Sequence, residues 1–334
     1  MISIVVPTVA RDSLADLLGA LAGQRGPLPE LELLIVDDRR SGSGELPVPG
    51  SLAAYTKVLP GRGCGPAAAR NVGWRAARHP WVAFLDDDVR PEPDWLTGLA
   101  ADLAAAGPDT GGIQGRLRVP LPAHRRPTDW ERVTAGLAES EWITADMAYR
   151  RAALAAVGGF DERFPRAFRE DAELAHRVRA AGWRLVRGAR RAVHPVRAES
   201  RWVSLRTQRG NADDALLRRL YGPRWRTELG IPAGRRHRHA VVTGAAALAA
   251  AALAGALAAR RSRAGRPLAG VAALAGAAWL AGTLGFAYER IRPGPGGRPE
   301  VATMLLTSVA IPPLATMHWL AGWWRHRHTA RVDR

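Results

Sequence analysis

Three consecutive aspartates, Asp86, Asp87 and Asp88, follow an apolar stretch at residues 81–85. Adjacent carboxylates repel one another, and burial at the end of a strand would raise their pKa values further. A bound cation offsets both effects, and carboxylate oxygens are ligands that Mg²⁺ and Mn²⁺ prefer. The sequence therefore predicts a divalent-metal site at these aspartates, with a solvated acidic turn as the simpler alternative.

A second acidic pair, Glu170 and Asp171, lies at the start of a helix predicted from about residue 169 to Gly182. The helix dipole alone favours acidic residues there by ~0.3–1 kcal/mol, which is the structural explanation of the pair. A positioned carboxylate can also act as a general base that removes the proton of a hydroxyl group. The apolar stripe of this helix is predicted at Leu174, Val178 and Ala181.

Alternating strands and helices in residues 1 to about 230 have to position these acids. Apolar runs predict strands at residues 2–7, 31–38, 55–60 and 81–88. Helical patterns predict a helix capped by Asp12 or Ser13, a second at 66–78 and a third at 93–107. This order predicts an α/β fold with a mostly parallel sheet, in which ligands bind beyond the carboxyl ends of the strands. Asp37, Asp38 and the three aspartates fall at such ends.

Residues 240–324 have a different composition, because three segments in this region carry no charge. They are residues 240–259, 267–288 and 301–324. Each has the ~20 residues that a helix needs to cross a bilayer, so we expect transmembrane helices, with three buried helices of a soluble domain as the alternative. The Pro312–Pro313 pair is expected to kink the third helix. Arginines flank every segment, which leaves two or three crossings open, and a basic tail follows at 325–334.

The net charge of +17 and the pI near 11.4 indicate an anionic partner. Much of the arginine excess flanks the hydrophobic segments, so we expect the anionic partner to be a membrane surface and not a nucleic acid. The single cysteine, Cys64, excludes an intrachain disulfide and a zinc site built from several cysteines. Composition therefore favours a membrane surface over a nucleic acid, and the single cysteine fits a reducing compartment.

A series of short motifs resembles the inverting family 2 glycosyltransferases of the GT-A fold. The motifs are IVVPT (4–8), LLIVDD (33–38), AARNVG (68–73), FLDDDVRP (84–91), ADMAYRR (145–151), GGFDERF (158–164), EDAELAHRVRAAGW (170–183) and AVHP (192–195). They follow the family's order and cover most of residues 1–200. The resemblance implies a GT-A domain at 1–230 that uses Mg²⁺ or Mn²⁺ and transfers a sugar from a nucleotide-diphosphate sugar to a hydroxyl acceptor.

The resemblance also assigns the candidate site residues by position. The nucleotide sugar is expected to contact Pro7, Thr8, Asp37, Asp38, Arg70, Asn71, Asp86 and Asp87. The expected metal ligands are Asp86, Asp88 and His194, with Asp88 as the direct one. The expected general base is Asp171, with Glu170 as the second choice. The structural alternatives are a solvated strand end for Asp37 and Asp38, a surface helix position for Arg70 and an ordinary packed histidine for His194.

Two positions depart from the family's pattern: Glu173 stands where aspartate is frequent, and Asp146 where asparagine is frequent. They bear on acceptor or donor contacts and leave the reaction class unchanged. The glycines of residues 61–65 do not meet the dinucleotide-binding pattern and predict a tight turn.

The sequence supports three hypotheses about function. The first is a multi-pass cell-membrane enzyme with a cytoplasmic catalytic domain and a lipid-linked or cell-envelope glycan acceptor. The second is a nucleotidyltransferase that forms a sugar nucleotide, although residues 5–13 lack the glycines of a triphosphate-activating loop. The third is a non-catalytic membrane protein that binds nucleotide sugars.

Overall fold

The computed structural model describes residues 1–25, 31–41 and 44–332, so the last two residues of the predicted basic tail lie outside the described residues. The strands are β1 Ile2–Thr8, β2 Leu31–Asp37, β3 Thr56–Pro60, β4 Trp81–Leu85, β5 Arg90–Pro91, β6 Thr110–Arg118, β7 Asp146–Arg150 and β8 Arg184–Val193. The helices are α1 Ser13–Ala22, α2 Gly50–Ala53, α3 Pro66–Ala76, α4 Trp95–Ala104, α5 Asp129–Ala135, α6 Arg151–Ala156, α7 Glu170–Ala180, α8 Val203–Arg206, α9 Asn211–Tyr221, α10 Trp225–Glu228, α11 Arg236–Ala258, α12 Gly265–Ile291 and α13 Arg298–Arg325. Two short 3₁₀ helices lie at Gly136–Glu139 and Thr207–Gly210.

The chain divides into two compact units. The first comprises Met1–Leu121, Val133–Arg197 and Glu228–Ile231, and the second comprises Pro122–Arg132, Ala198–Thr227 and Pro232–Arg334. The sheet belongs to the first unit, and the three long C-terminal helices belong to the second. The domain boundaries at residues 230 and 240 stay predictions.

The strands form one sheet in the order β3-β2-β1-β4-β7-β6-β8-β5. Strands β1 to β4 pair in parallel, as their apolar runs predict. The α/β prediction is confirmed, but the sheet is mixed, because β7 runs antiparallel to both β4 and β6 and β5 runs antiparallel to β8. Strand β7 begins at the edge where β4 ends, so Asp146 lies opposite Leu85. Hydrophobic patterns reveal a buried strand but not its direction.

Two apolar layers cover the two faces of the sheet. Alternation along β1 sends Ile4 and Val6 to the layer that contains α1, and sends Val5 to the layer that contains α3 and α7. The strands are apolar at nearly every position because both faces are buried. Helix α3 approaches β1 closely at Gly73, where any Cβ would clash with the Val5 side chain. The apolar runs therefore hold the carboxyl ends of β1, β2 and β4 at one edge of the sheet.

Some local predictions are wrong by a residue or a turn. The buried stripe of α7 contains Ala175 rather than Ala181, which is exposed because α7 ends at Ala180 and the chain turns at Gly182 with φ +87°. Helix α4 ends at Ala104, before the glycine at 107. Asp12 stands at the N-cap of α1, but its side chain makes no capping hydrogen bond. None of these differences moves a candidate site residue.

The second unit contains three helices, α11, α12 and α13, that are long and apolar enough to cross a membrane. They correspond to the predicted segments, but each helix begins two to four residues earlier than predicted, and α11 ends one residue earlier, at Ala258. Helix α13 stays continuous through Pro312 and Pro313. The neighbouring helices α8 and α9, which precede α11 along the chain, belong to the same unit.

Candidate active site

The candidate nucleotide residues of β1 and β2 meet the aspartate cluster at one edge of the sheet. Thr8 ends β1, and its hydroxyl donates a hydrogen bond of 2.7 Å to Asp87 Oδ2. The backbone N–H of Asp38 donates to the carbonyl of Thr8 at 2.8 Å. Pro7 and Asp37 are paired into the same β1–β2 ladder. The structure therefore brings five of the predicted residues together at the carboxyl ends of adjacent parallel strands.

Each of the three consecutive aspartates turns to a different cationic side chain. The partners are Arg70 for Asp86 at 2.7 Å, Arg11 for Asp87 at 2.6 Å and Arg197 for Asp88 at 3.1 Å. Strand β4 ends before the first of them, so the three side chains leave the chain from a turn rather than from an alternating strand. The repulsion within the cluster is offset by this separation and by three guanidinium groups.

Arg70 connects the two acidic clusters. Its Nη2 donates to Asp86 at 2.7 Å and its Nη1 donates to Glu170 at 2.9 Å. The side chain is fully buried, with its guanidinium carbon 5.5 Å from the ring centre of Phe160. Burial alone would lower the pKa of Arg70, but the charges of Asp86 and Glu170 raise it above its usual value. A permanent positive charge therefore lies between the aspartate cluster and the pair at the start of α7.

The two acids of α7 are pushed towards their protonated forms. Burial and then repulsion from Asp171 raise the pKa of Glu170 to about 8, against the attraction of Arg70. Among the described residues, Glu170 Oε2 has no hydrogen-bond partner although it is buried. Burial also raises the pKa of Asp171, whose Oδ1 accepts the backbone N–H of Ala172 at 2.7 Å. Two neighbouring carboxyl groups with unequal surroundings are a common arrangement for acid–base chemistry.

The residue before this pair has an unusual backbone. Arg169, at the N-cap of α7, has a φ of +80°, in the left-handed region that non-glycine residues rarely adopt. Such a conformation costs about 1–3 kcal/mol and persists where the surroundings require it. The start of α7 is therefore held in a defined but unfavourable geometry beside Glu170.

Asp37 and Asp38 are engaged by their own chain. Asp38 accepts three backbone N–H groups of the loop at 61–65, from Arg62 at 3.0 Å, Gly63 at 2.7 Å and Gly65 at 2.8 Å. A Cβ at Gly61 would lie 2.6 Å from Asp38 Oδ1, so the glycines allow a tight turn around this carboxylate, as predicted. Asp37 forms an ion pair with Arg39, whose hydrogen bonds lower the pKa of Asp37.

Asn71 uses its side-chain amide within the protein. The NH₂ group donates to the Phe160 carbonyl at 2.9 Å and to Glu162 at 2.8 Å. The amide oxygen accepts the Trp74 indole N–H at 2.8 Å and the Phe160 backbone N–H at 2.9 Å. Asn71 is buried and holds the loop that carries Phe160 beneath Arg70. A direct contact between Asn71 and a nucleotide sugar stays a prediction.

Asp88 and His194 fit a divalent metal ion. His194 Nε2 lies 3.6 Å from Asp88 Oδ1, and ligand bonds of about 2.1 Å allow two ligand atoms up to ~4.2 Å apart. His194 Nδ1 lies 3.1 Å from the Pro195 carbonyl, which can only accept, so in the neutral ring Nε2 keeps its lone pair for a metal. Burial raises the pKa of Asp88, with Asp86 and Asp87 adding to the effect and His194 and Arg197 opposing it.

The protein supplies few metal ligands at this position. Within the described ranges, no group of three His, Cys, Asp or Glu side chains is arranged to hold a metal. The Asp86 carboxylate bonds to Arg70 instead of joining Asp88 and His194. A Mg²⁺ or Mn²⁺ ion would therefore need substrate oxygens or water to complete its coordination, as Mg²⁺ commonly does at phosphate sites.

Asp146 and Glu173, the two positions that differ from the motifs of the resembling family, each bond to side chains of the protein. Asp146 is fully buried and bonds to Arg190 Nε at 2.8 Å and to the Trp95 indole N–H at 2.7 Å. Burial raises the pKa of Asp146, and the charge of Arg190 opposes that rise. Glu173 forms a two-point ion pair with Arg177 at 2.8 and 2.7 Å. Both acids are therefore bonded within the fold.

Sequence reasoning did not identify the basic partners of the aspartate cluster. Arg197 follows the AVHP motif by two residues, and Arg11 follows the IVVPT motif by three. An arginine close behind each motif was the available signal. The partner of Asn71, Glu162, lies inside the quoted GGFDERF motif but was not singled out.

Comparisons with known proteins relate part of this chain to glycosyltransferases. Residues 3–133 match the model described as glycosyl transferase family 2. This stretch contains Asp37, Arg70 and the three aspartates but stops before Glu170 and His194. A pre-mycofactocin glycosyltransferase from two strains of Mycobacterium tuberculosis is 31% identical over 134 residues, covering 36% of this chain. The match spans only 28% of the length of those relatives.

A solved structure resembles the chain over nearly its whole length. It is the mannosyltransferase PcManGT from Pyrobaculum calidifontis, in complex with GDP-Man and Mn²⁺. It is 17% identical, with a TM-score of 0.55, and the match covers 96% of this chain and 86% of that one. At this identity the likeness concerns the fold. Residues 3–133 of the chain therefore match the glycosyl transferase family 2 model, and the chain has the GT-A fold.

Proposed function

We propose that this chain is a membrane-anchored, metal-dependent glycosyltransferase that inverts the anomeric configuration of the sugar it transfers. The donor is a nucleotide-diphosphate sugar and the acceptor is a hydroxyl group. One observation carries the proposal: Arg70 bonds at once to Asp86 in the aspartate cluster and to Glu170 beside Asp171. This link joins a site suited to a metal and a diphosphate with a carboxylate pair suited to proton transfer.

The donor binds at the carboxyl ends of β1, β2 and β4. Pro7, Thr8 and Asp37 line the pocket for the base and ribose, and Asp38 shapes the pocket by holding the glycine loop. Asp88 and His194 would hold a Mg²⁺ or Mn²⁺ ion at this edge of the sheet. When bound, this ion supplies positive charge that stabilises the departing nucleoside diphosphate. Asp87 fixes Thr8 by accepting the hydrogen bond of its hydroxyl.

Asp171 acts as the general base. As the acceptor oxygen bonds to the anomeric carbon, its proton passes to the Asp171 carboxylate and the nucleoside diphosphate leaves from the opposite face of the sugar. With a pKa of about 8, Glu170 keeps a proton near neutral pH and leaves Asp171 as the ionised member of the pair. Asp171 is also partly exposed, whereas Glu170 is buried, so an acceptor can reach it.

The composition of the C-terminal helices suggests the class of acceptor. Apolar C-terminal helices and arginine-rich flanks favour a lipid-linked or cell-envelope glycan as the acceptor. Because nucleotide sugars are generally cytoplasmic, the catalytic unit faces the cytoplasm in this proposal. The 31% identity to a glycosyltransferase over 134 residues supports sugar transfer in general and does not identify this acceptor.

Nucleotide-sugar binding to the full chain in detergent micelles tests the proposal. With a panel of UDP- and GDP-sugars, we expect binding of at least one donor, weakened at least ~10-fold by EDTA or by Asp88→Asn, because a ligand of the metal is lost. Asp16→Asn, on the exposed surface of α1, is the matched control and should bind like the wild type. No affinity for any nucleotide sugar at saturating Mn²⁺ and Mg²⁺ contradicts the proposal. Release of pyrophosphate from a nucleoside triphosphate and a sugar phosphate would replace it with a nucleotidyltransferase.

A further inference from the structure

Helix α13 has two distinct faces, unlike the other two apolar helices. A buried stripe runs along it at helical spacing, at Thr303, Thr307, Ile311, Ala315, Trp319 and Gly322. An exposed stripe of uncharged residues runs along the other side, at Leu305, Leu306, Val309, Met317, Leu320 and Trp324. Within the most apolar 18-residue segment of each helix, 11% is buried inside the protein in α11 and in α12, whereas 39% is buried in α13. One side of α13 is therefore covered by protein along its whole length.

The C-terminal half of α13 packs on α9, a helix that carries charges. A Cβ at Gly322 would lie 2.6 Å from the Ala212 Cα, and the Arg219 guanidinium stacks 3.8 Å from the Trp323 ring centre. After α13, the backbone N–H of Val332 donates to the Leu220 carbonyl at 3.1 Å. Helix α9 contains two aspartates and two arginines, which are costly inside a bilayer. The C-terminal end of α13 therefore lies at the level of α9, outside the hydrocarbon core.

Four side-chain contacts join α13 to one end of the α11–α12 pair. Arg236 stacks 4.4 Å from the Trp319 ring centre, and the hydroxyls of Thr243 and Thr316 are 3.3 Å apart. On α12, Arg290 donates to the hydroxyls of Thr307 at 2.8 Å and Ser308 at 3.1 Å. These α11 and α12 residues belong to the first turns of α11 and the last turn of α12. The N-terminal half and the C-terminal half of α13 thus both meet the same end of the pair.

The opposite ends of α11 and α12 pack on each other. A Cβ at Gly255 would contact Leu268, and an open groove of about 570 Å³ lies between the helices, lined by Ala250, Leu253, Ala269 and Ala273 among others. Leu257 of α11 and Leu274 of α12 are also exposed. A helix of 28 residues is ~42 Å long, so an α13 that ran alongside them would cover these distal halves.

We propose that α13 does not cross the membrane but lies along its surface, while α11 and α12 form a hairpin that crosses it twice. The partner of the exposed stripe of α13 is the lipid interface, where apolar side chains enter the boundary between headgroups and acyl chains. Arg298 and Arg325, at the two ends of the helix, lie at the level of the lipid phosphates. The residues that precede α11 and those that follow α12 along the chain then lie on the same side of the membrane. This inference is independent of the proposed chemistry.

Single cysteines in the full chain carrying Cys64→Ser test this topology. Ala233→Cys lies before α11, Ser262→Cys between α11 and α12, and Ala330→Cys after α13, and all three positions are exposed. With a membrane-impermeant maleimide on sealed vesicles of known orientation, we expect Ala233→Cys and Ala330→Cys to react from one side and Ser262→Cys from the other. Reaction of Ala330→Cys from the side of Ser262→Cys means three crossings and overturns the proposal. Reaction of all three from one side removes the hairpin crossing and overturns it as well.

Membrane depth gives a second, independent measurement. A nitroxide label at Val309, near the middle of α13, is compared with one at Leu274, near the middle of α12. We expect the Val309 label to be several-fold more accessible to a polar relaxation agent and less accessible to oxygen than the Leu274 label. Equal depths at the two positions would show that α13 spans the bilayer. Neither substitution falls on a buried face, so folding is not expected to change.

Discussion

Two acidic pairs at the candidate active site differ in how well their carboxylates are satisfied. Asp38 accepts three backbone N–H groups, and Asp37 is paired with Arg39, which lowers its pKa. Glu170 keeps one buried oxygen without a partner among the described residues, and burial raises the pKa of both Glu170 and Asp171. The anionic form is therefore favoured at Asp37 and disfavoured at Glu170 and Asp171.

This difference separates a structural role from a chemical one. A carboxylate that accepts three backbone N–H groups holds its loop in place. A carboxylate with a raised pKa binds protons near neutral pH and can exchange them with a substrate. The comparison therefore assigns shape to Asp38 and proton transfer to the pair at α7, although both pairs look alike in sequence.

Replacing Asp171 should have the largest effect of any change in either pair. Asp171→Asn keeps the side chain's size but removes the base, so kcat should fall by about 10²- to 10⁴-fold with little change in donor affinity. Asp37→Asn, in the other pair, should change donor KM more than kcat. Initial rates over a range of donor concentrations measure both constants. A loss of kcat as large in Asp37→Asn as in Asp171→Asn would remove the distinction between the pairs.

The pH dependence of stability sharpens the same comparison. The folded pKa of Glu170, about 8, lies above its ordinary value of 4.5, so between these values the folded state holds a proton that the unfolded chain has lost. The contribution of Glu170 is therefore fully present below about pH 4.5 and is lost as pH rises to about 8, with a slope of at most ~1.4 kcal/mol per pH unit.

Glu170→Gln should remove this slope, because glutamine does not titrate. Urea unfolding of the full chain in detergent micelles, without metal or donor, measures the free energy of unfolding at pH 5, 6, 7 and 8. We expect the wild type to lose stability more steeply than Glu170→Gln over this range. Parallel curves for the two proteins would mean that Glu170 is not protonated in the folded state.

The sequence identified the elements of this site better than the contacts within it. The apolar runs and turn residues were enough for β1 to β4 and α3, because burial on both faces leaves a strong local pattern. The resemblance predicted Asp88 and His194 as metal ligands, and these two residues are adjacent in space but far apart in the chain. The partners that decide each role, such as Arg197 for Asp88 and Arg190 for Asp146, lie in segments that only the sheet topology brings near.

The sequence pattern also did not predict the direction of a strand or the depth of a helix in the membrane. An apolar run has the same composition whether its strand is parallel or antiparallel, so the reversal of β7 left no local signal. In the same way, a long apolar helix fits a membrane crossing until its neighbours are known. The packing of α13 on the charged helix α9 is a tertiary fact, and it separates α13 from the similar-looking α11 and α12.

Asp38→Ala should have a smaller effect, on stability rather than on chemistry. The change removes the acceptor of three backbone N–H groups. Each polar group that loses a buried partner costs ~1–3 kcal/mol, but water can reach this loop and offset part of that cost. We therefore expect a loss of ~2–3 kcal/mol in the free energy of unfolding. Asp37→Ala is the matched control and should cost under ~1 kcal/mol, because its ion pair with Arg39 is partly exposed. Urea unfolding in micelles gives both values, and hydrogen exchange of the amides at Gly63 and Gly65 locates the change. Equal losses in the two variants, with unchanged exchange in the loop, would show that the three hydrogen bonds do not distinguish Asp38 from its neighbour.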